Sequence, residues 1–437
     1  MNRKVGGLKP FVLTMAMVMA LPVTANAEEN YDQLRAQVEA LQTQLQQVQE
    51  TLKQYESESI SQEEVSQLRL EIAQAAEWKE PNTLIHMSGY ADVGYTDGET
   101  SDGSFNLGSF SPIFHYQYRD LVMLESELEM TITDEGETET ELEYLTIDLF
   151  LGDYLTLVGG KFLSPIGQFR QNLHPSWINK MASAPPGFGH DGAAPVSEMG
   201  FQARGGFPVG DMFANYAVYV GNGPELEAVF EDEEFELAGI EAEGFGSDRD
   251  GEKVFGGRFA LLPMPGLELG FSVVSGKATV TGIEEAHGEE AGEHNEEAGE
   301  GDFDIALLDL GMEPARDYDV YGFDFAWKLN NVKLRGEYVK TKVGADIVGL
   351  TASPGSSWET WYSQASYLFP QTKWETAIRY TNFDSPHASE DQQQWAVGLN
   401  YLFASSVIGK FTYEFNDGQP GSQADTNRWL FQLAYGF

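Results

Sequence analysis

Trp429-Leu430-Phe431-Gln432-Leu433-Ala434-Tyr435-Gly436-Phe437 closes the chain with large apolar side chains at every second position. Period two is the period of a strand, so Trp429, Phe431, Leu433, Tyr435 and Phe437 share one face and that face meets an apolar medium. The medium is either a protein core or lipid. The same face returns in segment after segment: Trp395, Val397, Leu399, Tyr401 and Phe403 in 391–403, and Trp374, Ile378 and Tyr380 in 372–383. The opposite faces carry Gln394, Gly398 and Asn400, or Lys373, Glu375, Arg379 and Thr381. Charges at period two inside a soluble core would each cost about several kcal/mol. In a water-filled pore they cost little, so lipid outside and water inside is the consistent assignment.

Working back from this terminal strand, the pattern predicts an all-β chain with a transmembrane antiparallel barrel of about sixteen strands over 83–437. The connections alternate between short and long. Arg119-Asp120, Leu151-Gly152-Asp153, Asn330-Asn331 and Phe369-Pro370-Gln371 are tight links, whereas 164–196, 222–251, 277–317 and 343–357 are long. An even strand number with short turns on one rim and long loops on the other is the layout of an outer-membrane barrel, with both ends of the barrel on the short-turn side. Trp358, Trp361, Tyr367 and Tyr435 are expected in the interfacial girdles.

The other end of the chain agrees. Residues 1–27 begin with Arg3, Lys4 and Lys9, continue with an apolar run from Phe11 to Val23, and end on Ala25-Asn26-Ala27. The run is too short to span a bilayer and reads as a secretory signal cut after Ala27. The chain has no Cys and a net charge of −43, which processing takes to −46 by removing three cations. Such acidity excludes nucleic acid as a partner.

Residues 28–80 read as helical. Tyr31, Leu34, Val38, Leu41, Leu45, Val48, Leu52 and Tyr55 alternate steps of three and four, a heptad seam. Ser61-Gln62-Glu63-Glu64 can cap a second helix on Val65, Leu68, Ile72 and Ala75, which Pro81 stops. Two readings stand open: a short periplasmic coiled-coil stalk, or an amphipathic helix packed on or inside its own barrel.

Alternation places Lys161, Arg204, Arg258, Lys333, Arg335, Lys373, Arg379, Lys410 and Arg428 in the lumen. Asp92, Glu125, Glu127, Glu129, Asp148, Glu198, Asp324, Glu337, Glu375 and Glu414 fall there too. Acids gather on the early strands and bases on the late ones. Either opposite walls set up a transverse field that orients polar solutes, or the charges pair and merely keep the pore wet. The loop 164–196 is locally basic, with Arg170, His174, Lys180 and His190 against Asp191, and it is stiffened by Pro165, Pro175, Pro185, Pro186 and Pro195. It is expected to fold inward as the eyelet, where Lys161 and Arg170 would attract an anionic group. The alternative is an external lid whose cations bridge lipopolysaccharide phosphates.

The loops holding Glu231-Asp232-Glu233-Glu234 and the run from Glu284 to Glu297, with His287 and His294, are strongly acidic. Calcium would suit those carboxylates, but the spacing matches no defined site and the composition suits a solvated loop. Neither metal nor cofactor is expected. Such loops would repel anions at the mouth, in conflict with a basic eyelet. No Gly-x-Ser-x-Gly, P-loop or His-Glu-x-x-His is present, so no enzymatic activity is expected.

A strand ending on a terminal aromatic, here Phe437, resembles the signature that the outer-membrane assembly machinery reads in bacterial barrels. Together with the export signal and heptad helix, Met87-Ser88-Gly89-Tyr90-Ala91-Asp92-Val93-Gly94-Tyr95 and Gly160-Lys161-Phe162-Leu163-Ser164-Pro165-Ile166-Gly167 resemble the phosphate-selective porin O and P superfamily. Siderophore-porin-like relatives there also carry an amino-terminal coiled coil. The resemblance implies a homotrimeric outer-membrane porin embedded in lipid and lipopolysaccharide, passing small hydrophilic or anionic solutes. Siderophore uptake and a structural tether of the outer membrane are the alternatives. Phosphate-selective members line their pore with a ladder of arginines and lysines; the mixed charge here does not carry that selectivity over.

Overall fold

A computed structural model of the protein describes Gln46 and residues 83–100, 102–133, 136–189, 193–231, 234–248, 250–284, 314–346 and 355–437. The signal and heptad expectations fall outside the described residues. Seven strands open the fold: β1 (Thr83–Gly98), β2 (Ser104–Tyr118), β3 (Val122–Ile132), β4 (Thr138–Gly152), β5 (Leu155–Leu163), β6 (Ser197–Val209) and β7 (Met212–Gly221). A hairpin, β8 (Glu225–Glu231) and β9 (Glu234–Glu241), follows. Then come β10 (Val254–Met264), β11 (Leu267–Glu284), β12 (Arg316–Leu329), β13 (Val332–Val343), β14 (Ser356–Leu368), β15 (Trp374–Asp384), β16 (Gln392–Ala404), β17 (Val407–Gly418) and β18 (Arg428–Gly436).

β7 pairs directly with β10 and β18 with β1, so the sixteen strands other than β8 and β9 form a closed antiparallel barrel. Closure leaves no unpaired sheet edge. Along β18 the outward face is the one the sequence selects. Trp429, Phe431, Leu433 and Tyr435 are exposed, while Leu430, Ala434 and Gly436 are buried. Every turn expected to be short is short. In three of them Arg119, Asn330 and Gln371 adopt φ of 53°, 51° and 59°, the left-handed conformation that tight reversals require.

The seam is locked at the last residue. The Gly89 and Phe437 N–H groups each donate to the other's carbonyl at 2.9 Å, and the Phe437 ring stacks on Phe110 with centroids 6.1 Å apart. Gly89 has φ of 155°, and a methyl group at its Cα would lie 2.9 Å from the Phe437 ring. Only glycine leaves room for that ring.

Two features depart from the sequence reading. Residues 222–251 hold the β8–β9 hairpin, and β8 runs parallel to the far end of β11, with Glu225 opposite Thr279. The interior is also not uniformly polar. Val158, Phe162, Tyr219, Val274, Val339 and Tyr362 point inward and join Leu226 and Ile240 of the hairpin in one buried apolar cluster. Trp358 belongs to the same cluster at 1 % exposure, so it is not a girdle residue. A strand face can be apolar on the inside here because a loop brings it an apolar partner.

Candidate functional site

That partner is the loop 164–196, which enters the barrel and lies along its inner wall. Its descent starts where Gln168 and Phe169 N–H both donate to Glu337 Oε2 at 3.1 Å, while Gly167 N–H donates to Ser272 Oγ at 3.2 Å. Trp177 then reaches the closing strand: a methyl group on Gly436 would sit 2.7 Å from its indole. The return path is hydrogen-bonded strand by strand. Asn400 donates to Lys180 O at 2.9 Å, Lys410 Nζ to Met181 O at 3.0 Å, Ala182 N–H to Thr412 Oγ1 at 3.2 Å, and Thr360 and Thr341 to Pro186 O and Ala193 O at 2.8 and 2.6 Å. Met181, with no exposed surface, fills a dimple between Ala377 and Ala396 that Gly398 leaves open. Buried loop carbonyls need such partners, and inward-facing polar side chains of β13–β17 supply them.

Arg379 is the central clamp. Its guanidinium donates to Ser183 O at 3.0 Å, Ser183 Oγ at 3.2 Å, Ala184 O at 3.1 Å and Gln394 Oε1 at 2.9 Å. Glu414 stands 4.0 Å away, accepts from Ser183 Oγ, and takes Arg428 Nε at 2.6 Å. This side chain holds the loop to the wall.

The single π-helical turn Phe169–Leu173 sorts the loop's side chains. Phe169 and Leu173 enter the apolar cluster, and Arg170 and His174 face the other way, into a cavity of about 230 Å³. Across it lie Tyr90 of β1, Glu129 of β3 and Glu143 of β4; Lys410 and Gln432 line it from β17 and β18. Arg170 is 6 % exposed, and this burial lowers its pKa against the opposing pull of Glu143, Glu243 and Glu129. It stays cationic at any physiological pH because guanidinium starts so high.

Of the acids named from sequence, Glu125, Glu127 and Glu129 are on β3. Glu127, 1 % exposed, accepts the Tyr90 hydroxyl at 2.8 Å and lies 3.7 Å from His174 Nε2. Glu125 accepts the Tyr144 hydroxyl at 3.0 Å and lies 3.4 Å from His115. Glu143 escaped the sequence reading because a bulge turns it. Glu127 pairs with Tyr144 and Leu128 with Leu142, leaving Glu143 as the extra residue, turned inward beside Tyr144. The visible signal was the run of acids at 137, 139, 141 and 143.

The remaining named bases are placed as follows. Arg204 pairs with Asp148, and Lys180 lies 3.3 Å from Glu375. Arg258 forks onto Asp324 at 2.8 and 2.6 Å and reaches Glu268 at 2.9 Å. Arg335 shares the inward face of β13 with Glu337 and pairs across to Gln364. Lys161 is not in the lumen. It sits opposite Leu145 and Met199 between inward Phe162 and the outward row of Leu145 and Phe201, so it stands on the outer face. The apolar inner row of β5 inverted the expected alternation. His190 and Asp191 lie outside the described residues, as does the acidic run beyond 284. Among the described residues no group of three or more His, Asp or Glu is placed to hold a metal.

A closed sixteen-stranded barrel with an aromatic exterior, charged inner walls and a loop folded inside it defines an outer-membrane channel. The chain belongs to the phosphate-selective porin O and P family, whose model matches residues 197–437. Among solved structures it is similar to the anion-selective porin from Comamonas acidovorans, at 15 % identity and a TM-score of 0.52, covering 81 % of this chain and 100 % of that one. It is also similar to Salmonella typhi OmpF, solved with daunomycin, at 13 % identity and a TM-score of 0.51, covering 82 % and 98 %. At these identities the likeness concerns the fold. No curated protein matches the sequence.

Proposed function

We propose that the chain is a porin for passive diffusion of small hydrophilic solutes, those bearing an anionic group included, and not an enzyme. The observation that carries this reading is the cavity of about 230 Å³ beside the inward loop, lined by Arg170, His174 and Lys410 and by Glu129 and Glu143. A constriction with fixed charges of both signs screens solutes by size and charge without consuming energy. A cavity of about 230 Å³ favours small solutes over a bulky siderophore.

In this reading the short-turn rim faces the periplasm and 28–80 form a periplasmic helical region after removal of residues 1–27. On the family's habits the porin is a homotrimer, and Phe437 is read by the assembly machinery.

Reconstitution of the purified chain into planar bilayers tests the proposal. A porin gives discrete step openings, and a structural tether leaves the bilayer silent. Reversal potentials in a salt gradient then report ion preference. A strong preference for cations would remove the anion-attracting role of Arg170.

A further inference from the structure

Three buried donors around the cavity have no hydrogen-bond partner among the described residues: Arg170 Nε and Nη2 and Ser176 Oγ. Other lumen cations are committed. Arg258 is forked onto Asp324, Arg379 is bound to loop carbonyls, and Lys410 donates to Met181 O and, at 2.6 Å, to Gln432 Oε1. Arg170 brings a buried, always-charged fork into the cavity with two nitrogens to spare, and such a fork matches a carboxylate or similar planar anion. The same cavity presents Glu129 and Glu143 from β3 and β4, acceptors suited to an ammonium group. An anion alone would meet Arg170 but be repelled by those glutamates, and a cation alone would meet the reverse.

We propose that the eyelet is selective for small zwitterions of the α-amino-acid type, with the carboxylate seated on Arg170 and Ser176 and the ammonium directed to Glu129 and Glu143. This deepens the channel reading and rests on it. A solute carrying both charges meets both sets of groups at once, and it adds no net charge to the constriction. The acidic mouth loops, which oppose a pure anion, do not oppose such a solute.

Proteoliposome flux of four solutes on one three-carbon skeleton provides the test: serine (zwitterion), glycerate (anion), serinamide (cation) and glyceramide (neutral). In the full chain serine should enter about tenfold faster than glyceramide, equivalent to about 1.4 kcal/mol of preferential stabilisation. Arg170→Met should abolish that advantage and raise serinamide entry. Glu129→Gln with Glu143→Gln should abolish it too and raise glycerate entry. Retained heat-modifiable mobility on gels confirms that each variant is folded; Arg170→Lys, which keeps the charge without the fork, is read if Arg170→Met is not. Equal serine and glyceramide fluxes in a conducting wild-type channel overturn the zwitterion assignment alone. No conductance and no flux of any of the four overturns the channel reading beneath it.

Discussion

Replacing Arg379 by Met should release the inward loop while leaving the barrel closed. The side chain is 1 % exposed and donates four hydrogen bonds at 2.9 to 3.2 Å, three of them to Ser183 and Ala184 of the loop. Removing it takes the donor from Ala184 O, leaves Ser183 O to Asn179 Nδ2, and takes one cation away from buried Glu414. Breaking a buried charged cluster by deleting one member costs about 3–5 kcal/mol. The cost falls on the loop, because the wall at β15 is held by its ladders to β14 and β16. Taking the lower figure, a shift of about 3 kcal/mol multiplies the population of detached loops roughly 150-fold. The remaining anchors, Glu337 at the start and Lys410 and Asn400 lower down, keep the loop from leaving altogether. Single-channel recordings should therefore show a larger and noisier conductance. Limited proteolysis of intact outer membranes should cut the variant within 164–196 and leave the wild type intact there. Unchanged conductance together with unchanged resistance would refute the clamp role of Arg379.

Two further outcomes follow from the wall itself. Phe271→Arg places a charge on the lipid face of β11, where Phe271 is 56 % exposed between Phe259 and Phe323; folding into lipid vesicles should lose up to about 2–4 kcal/mol, the cost of an arginine at the bilayer midplane. Gly89→Ala adds a methyl at φ of 155° against the Phe437 ring and should cost about 1–3 kcal/mol in backbone strain alone, read as slower barrel closure in folding kinetics.

The wall was legible because lipid imposes one rule on the outer face. Trp395, Val397, Leu399 and Phe403 must be apolar wherever the chain crosses the bilayer, and the short turns between strands have no room to vary. The lumen obeys no single rule. Val158, Phe162 and Trp358 are apolar and inward because loop 164–196 and the β8–β9 hairpin pack on them. That three-dimensional partnership leaves no period in the local sequence, so Lys161 was assigned to the wrong side and Trp358 to the girdle. Glu143 was lost to a bulge, which shifts alternation by one residue. The hairpin had a local signal: Leu226 and Ala228 alternate with Glu225 and Glu227, but the surrounding acids made the segment read as a solvated loop. Arg170 and His174 were visible as basic residues in an acidic chain. Their common direction depends on the helical turn that joins them, which five residues between prolines do not announce.

The absence of native cysteine makes one measurement especially direct. The whole account depends on loop 164–196 lying against the inner wall, where the Met181 sulfur is 3.1 Å from the position of a Gly398 Cβ. Met181→Cys with Gly398→Cys, oxidised in intact outer membranes and run on a non-reducing gel, should give a cross-linked species that reductant reverses. The neighbouring-strand pair Gly398→Cys with Thr412→Cys, opposite each other in the ladder, serves as the reference. Cross-linking of the reference pair without any of the loop pair would place the loop outside the barrel and contradict the eyelet.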